Sequence, residues 1–155
     1  IAVGLGTDGA ASNNDLDMFQ EMDLSAKLHK ATLLDPTVMS AETVLKMATI
    51  DGARVLGLDR LIGSIEAGKQ ADIIILDLNQ PHLTPLYNPY SQIVYAARGA
   101  DVKASIIGGK PVMENRRLLT IDLQDAMRNV GEIAAHIQAE NQSTIRTSPV
   151  DVMTP

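Results

Sequence analysis

Apolar and polar positions alternate with a period that changes several times along the chain. Residues 1–5 are a continuous apolar run ending in Gly6-Thr-Asp-Gly9, which predicts a short strand buried on both faces. Residues 9–14, Gly-Ala-Ala-Ser-Asn-Asn, predict a loop of small side chains. From Asp15 the period turns helical. Phe19, Met22, Ala26 and Leu33 fall on one side of a wheel and Gln20, Lys27 and Lys30 opposite, so an amphipathic helix runs to about Leu34, where Asp35-Pro36 stops it. Ser40 is a good N-cap for a second helix, with Glu42 in its positive first turn. Val44, Ala48, Gly52 and Val55 form its narrow apolar stripe, edged by Leu45 and Leu56. Its small residues imply a closely packed neighbour, and Gly57 ends it.

Beyond Gly57 the pattern shortens to that of strands. Residues 61–66 and 71–78 read as strands around the turn Ala67-Gly68-Lys69-Gln70. Residues 79–89 hold three prolines and predict an ordered crossing loop. Residues 93–98 and 102–107 read as further strands, Gly108-Gly109 as a hairpin into residues 110–113, and Asn115-Arg116 as another turn. Asp122 caps a last helix to about Glu140, with Leu123, Ala126, Met127, Val130, Ala134 and Ile137 on one face. Residues 141–155 read as a frayed tail. Strand, two helices, a small β unit and one helix make a mixed α/β chain.

Composition narrows the function classes. The 155 residues are too few for a complete (β/α)8 barrel, which needs at least ~200. Thirteen Lys and Arg against 19 Asp and Glu give −6, which argues against nucleic acid as partner, and one Phe with three Tyr makes a poor base-stacking surface. The apolar runs are far shorter than the ~20 residues of a membrane helix, and there is no signal peptide. The absence of cysteine removes disulfides and thiolate metal sites and fits the cytoplasm. The chain opens on Ile1 inside an apolar run, which leads us to expect a piece of a longer chain.

Two readings compete at the first turn. Gly4-Leu-Gly-Thr-Asp-Gly9 matches the dinucleotide-binding pattern G-x-G-x-x-G, but two successive helices follow where a βαβ unit needs a second strand. The alternative centres on Asp8, an acid at the C-terminal end of a buried strand, where α/β barrels place catalytic groups. An ionised carboxylate there can hold a metal and accept a proton from water. On spacing alone, Asp8 as a mere organiser of its own glycine-rich turn is the better reading. His29, His82 and His136 are more than fifty residues apart and form no ligand pair. His29 reads as a partly buried, hydrogen-bonded side chain, and the other two as structural.

Longer motifs identify a resemblance. Gly6-Thr-Asp-Gly-Ala-Ala-Ser-Asn-Asn14 followed by Leu16-Asp-Met18 resembles the last barrel strand and loop of metal-dependent amidohydrolases. The branch it looks most like is the 5′-methylthioadenosine/S-adenosylhomocysteine deaminases and the related triazine chlorohydrolases. Ala48-Thr-x-x-Gly-Ala-Arg-x-Leu-Gly57, Ile62-Gly-Ser-Ile-Glu-x-Gly-Lys-x-Ala-Asp72-Ile-Ile-Ile-Leu-Asp77, Pro85-Leu-Tyr-Asn-Pro89, Ile93-Val-Tyr95 and Gly109-Lys-Pro-Val-Met-Glu-Asn115 extend the likeness in order to about residue 140.

The resemblance implies the following. Residues 1–58 are the end of a (β/α)8 barrel, with its last strand and helices. Residues 59–119 are part of a small β-sandwich domain, 120–140 a closing helix and 141–155 a flexible tail. Asp8 is both ligand to one divalent metal, zinc or iron, and the catalytic proton acceptor; Ser12 is a weaker candidate for substrate contact. The reaction is hydrolytic deamination of an adenosine-type small molecule, or, on the same scaffold, chlorohydrolysis of a triazine or deamination of another nucleobase. The family's other metal ligands, histidines upstream of this strand, are absent. The chain is therefore expected to be a hydrolase fragment, inactive and possessing no complete metal site by itself, whose partners are the missing N-terminal barrel portion and further copies in a homo-oligomer. A non-catalytic assembly domain is the reading from a different class.

Overall fold

The computed structural model of the chain describes residues 1–147. The elements run in the order α1 (Met18–Leu33), α2 (Ala41–Met47), α3 (Ile50–Val55), β1 (Ile73–Leu76), α4 (Pro89–Tyr95), β2 (Val102–Ile107), β3 (Lys110–Glu114), β4 (Arg117–Leu118) and α5 (Leu123–Thr147), with single 3-10 turns at Pro81–Leu83 and Gly99–Asp101. Residues 1–117 form one compact unit, and a second begins at Leu118.

The core of the first unit is helical. Phe19, Met22 and Ala26 of α1 meet Val44 of α2, Leu83 and, from α4 and its end, Val94 and Ala97. Local signals set each helix. Asp17 caps α1 through its bond from the Phe19 amide (2.8 Å), and Leu34 closes it in the left-handed region. Ser40 caps α2 by accepting from the Thr43 amide.

The expected second helix is two helices. Thr49 turns its hydroxyl back to the Leu45 carbonyl (2.7 Å) at φ −128°, ψ −101°, and α3 starts anew at Ile50. The break leaves the Met47 carbonyl without its next helical donor, and the Leu5 amide takes it at 3.1 Å. There the chain before Asp8 lies directly on the helix pair, and a Cβ on Gly4 would come within 2.8 Å of the Gly52 Cα.

The sheet order is β1-β2-β3-β4, with β1–β2 and β2–β3 antiparallel. Ile73 faces Ile106, and the Gly108-Gly109 hairpin sets Ile107 against Lys110. Asn115 and Arg116 make the next turn with φ of 47° and 63°.

Three expected strands are absent. Residues 1–5 form no ladder, because no strand lies beside them among the described residues and Leu5 bonds a helix end instead. Residues 61–66 are a string of turns: the Leu61 and Ile62 amides reach back to Leu58, and Gly63, at φ +90°, lies so close to α3 that a Cβ would meet Ala53 at 2.7 Å. Residues 93–95 belong to α4, and 96–98 lie past its end. The start signal is Asn88-Pro89: Asn88 accepts from the Ser91 amide and Pro89 fits the first turn, after which Val94 and Ala97 bury at helical spacing.

An open apolar trough of about 840 Å³ separates α2–α3 from β1, lined among others by Gly4, Leu45, Gly52, Ile62, Ile74 and Leu76. The second unit is described by α5, which runs beyond the expected end at Glu140 to Thr147. Of the expected tail, residues 148–155 lie outside the described residues. No helix among the described residues is long and apolar enough to cross a membrane.

Candidate functional site

Asp8 stands in the left-handed region, at φ +56°, where a residue with a Cβ is uncommon. Its carboxylate sustains that turn. Oδ1 accepts the Gly9 amide at 2.7 Å and Oδ2 accepts the Ser12 hydroxyl at 2.9 Å. The backbone folds in step, with the Ser12 and Asn13 amides both reaching the Gly9 carbonyl at 3.0 and 2.9 Å. The two sequence-predicted site residues are thus in direct contact, and both are exposed. The Gly9 amide, and after it the Ser12 hydroxyl, hold the Asp8 carboxyl below its usual range, so it is ionised at neutral pH.

An ionised carboxylate has about four lone-pair directions. Two are used here, so Asp8 keeps acceptor capacity toward solvent for a cation or a proton. Its donor chemistry therefore fits one ligand position of a divalent metal. It does not fit a whole site, since a catalytic zinc takes three protein ligands. No group of three or more His, Cys, Asp or Glu side chains among the described residues could hold a metal.

The loop is tied down by residues that spacing does not single out. The Asn13 side-chain amide donates to the Thr7 carbonyl (3.0 Å) and to Glu21 Oε1 (2.7 Å), joining the Asp8 turn to the first turn of α1. Asp17, while capping α1, accepts the Gly99 amide through its second oxygen at 2.9 Å. The sequence signal is faint: an amide eight residues before an acid that sits in a helix's first turn.

The histidines pair elsewhere than with this loop. His29 is exposed rather than partly buried, and its Nδ1 pairs with the Ser25 carbonyl at 2.8 Å, a helical backbond that needs no burial. His136 pairs with Glu140. His82 bonds Asp101 Oδ2 at 3.0 Å, and the Arg98 amide donates to the same oxygen at 2.8 Å. Asp101 is 7% exposed. Burial pushes its carboxyl up, but the His82 and Arg98 hydrogen bonds and the charges of His82 and Arg116 outweigh that and hold it low. An ionised Asp101 only accepts, so His82 Nε2 carries the proton.

Comparisons with known proteins agree with one another. The profile of the "Amidohydrolase family" matches residues 1–112. The 5-methylthioadenosine/S-adenosylhomocysteine deaminase 1 of Syntrophus aciditrophicus is 58% identical over 138 residues, 89% of this chain and 31% of that protein. A crystal structure of an adenosine deaminase from Xanthomonas campestris with bound zinc matches with a TM-score of 0.87 and 42% identity, over 90% of this chain and 32% of the other. An atrazine chlorohydrolase of Arthrobacter aurescens, complexed with zinc, matches with a TM-score of 0.78 and 27% identity over 85% and 29%. The chain spans about a third of the length of the curated relatives it matches.

Proposed function

Because the chain belongs to the amidohydrolase family, we propose that it is the C-terminal part of a metal-dependent deaminase acting on an adenosine-type substrate, 5′-methylthioadenosine or S-adenosylhomocysteine. The observation that carries the reading is the 58% identity to a deaminase of that name, against 27% to a chlorohydrolase. In the whole enzyme, residues 1–58 end the barrel, 59–119 belong to a small β-sandwich and α5, Leu123–Thr147, is the closing helix. The enzyme works in the cytoplasm as a homo-oligomer.

Asp8 supplies one carboxylate ligand to a single zinc or iron ion, and the remaining ligands come from outside residues 1–155. Such an ion, when bound, lowers the pKa of water and polarises the substrate. Asp8 takes the proton of the hydrolytic water as its oxygen bonds to the ring carbon bearing the amine. The carbon–nitrogen bond then breaks, and the nitrogen leaves as ammonia with a proton returned to it. The Gly9 amide and Ser12 hydroxyl keep Asp8 ionised, and Ser12 is the weaker candidate for substrate contact.

The test is ammonia release by the whole enzyme from 5′-methylthioadenosine, S-adenosylhomocysteine and adenosine, with a chlorotriazine in parallel. The reading expects ammonia from the first two. Chloride release from the triazine, without deamination, would favour the chlorohydrolase. Residues 1–155 alone should neither retain stoichiometric zinc nor turn over substrate.

A further inference from the structure

The Asn13 side chain connects the Asp8 turn to the first turn of α1, and the mechanism above gives it no role. Its orientation is determined by its neighbours. Nδ2 lies between two pure acceptors, the Thr7 carbonyl and the Glu21 carboxylate, while Oδ1 faces the Asp15 amide at 3.4 Å. A flipped amide would set oxygen against both acceptors.

The placement matters because of what it grips. The Thr7 carbonyl belongs to the peptide entering Asp8, so holding that oxygen fixes the peptide plane from which the strained φ of +56° begins. Glu21 stands in the first turn of α1, whose cap Asp17 is itself bonded to Gly99. Phe19 and Met22, on either side of Glu21, are buried in the core. The exposed Asp8 turn is therefore tied through Asn13 and Glu21 to a helix that packs into the buried core of the unit. Gly9 and Ser12 act on the carboxylate oxygens; the Asn13 side chain acts on the turn's backbone and ties it to α1.

We infer that Asn13, locked by Glu21, is a positioning residue that sets the direction in which Asp8 presents its carboxylate. This rests on the proposed reading of Asp8 as a metal ligand, and the experiment separates the two. The first readout is water-exchange NMR of backbone amides in the 155-residue chain. Asn13→Ala should speed exchange at Gly9, Ser12 and Asn13 by about tenfold while the α1 amides beyond Met22 keep their rates. Glu21→Gln, which retains an acceptor oxygen, should stay within about twofold of the parent, whereas Glu21→Leu should behave like Asn13→Ala. Unchanged turn amides in Asn13→Ala, or equal acceleration throughout α1, would overturn the inference. If Asn13→Ala fails to fold, the two Glu21 variants decide in the same terms.

The second readout is zinc affinity of the whole enzyme by chelator competition, with zinc alone as probe. Asn13→Ala should weaken it about tenfold, as is usual for groups that orient a ligand without touching the metal. If Asp8→Asn abolishes zinc binding but Asn13→Ala leaves it intact, positioning is refuted. If Asp8→Asn keeps zinc, the ligand reading falls, and amide exchange still decides whether Asn13 holds the turn.

Discussion

The turn that carries Asp8 and the turn that carries Asp101 use the same chemistry to opposite ends. Each aspartate accepts a backbone amide and a side-chain donor, and each is held ionised below its ordinary pKa. Asp8 is bonded within its own turn, to residues one and four positions on, and faces solvent. Asp101 is buried, and one of its partners, His82, lies 19 residues away. Around Asp101 the hydrogen bonds use up one oxygen to join two turns beside the core; around Asp8 they leave acceptor capacity outward. A carboxylate kept ionised, exposed and aimed in a strained turn is suited to receive something, and a buried one bridging distant segments is suited to hold a fold.

Substitutions can break that contrast at several depths. The largest loss should come from the core beside the Asp101 turn: Leu83→Ala, at a fully buried site, should cost about 2–5 kcal/mol in a denaturant melt. Asp101→Ala should cost about 1–3 kcal/mol, because it leaves the Arg98 amide and His82 without their acceptor. Its pH dependence follows from linkage. A carboxyl whose folded pKa lies below its unfolded value of about 3.9 stabilises fully above that value and loses its contribution as pH falls through the folded pKa. Asp101→Asn should therefore flatten the fall in stability below about pH 4.

Gly4→Ala should be milder, at the lower end of ~1–3 kcal/mol. The new methyl meets backbone at Gly52, but the exposed segment around Val3 can shift outward. Asp8→Asn should change stability least, since its partners are exposed and find water instead. A large loss at Asp8 would make it a second structural aspartate and erase the contrast.

The sequence is most legible where a signal is local. The Ser40 cap, the stop after Leu33, the Gly108-Gly109 hairpin and the Asn115-Arg116 turn are all set by residues within a few positions, and the elements follow them. The α4 helix reads as a strand because an Ile-Val-Tyr run suits one by composition; only the Asn88-Pro89 start distinguishes it. Residues 1–5 and 61–66 have strand composition but no partner strand among the described residues, and a ladder is a property of pairs. At the site, Asp8 and Ser12 are legible because they share one motif. Asn13–Glu21 and Asp17–Gly99 are not, since spans of 8 and 82 residues exist only after folding.

The contrast between the two aspartates comes to its most direct test in zinc content. The whole enzyme, purified with zinc, should hold about one ion, Asp101→Asn should keep it, and Asp8→Asn should lose it along with ammonia release. An Asp8→Asn enzyme that retains its zinc and turns over 5′-methylthioadenosine like the parent would contradict the account.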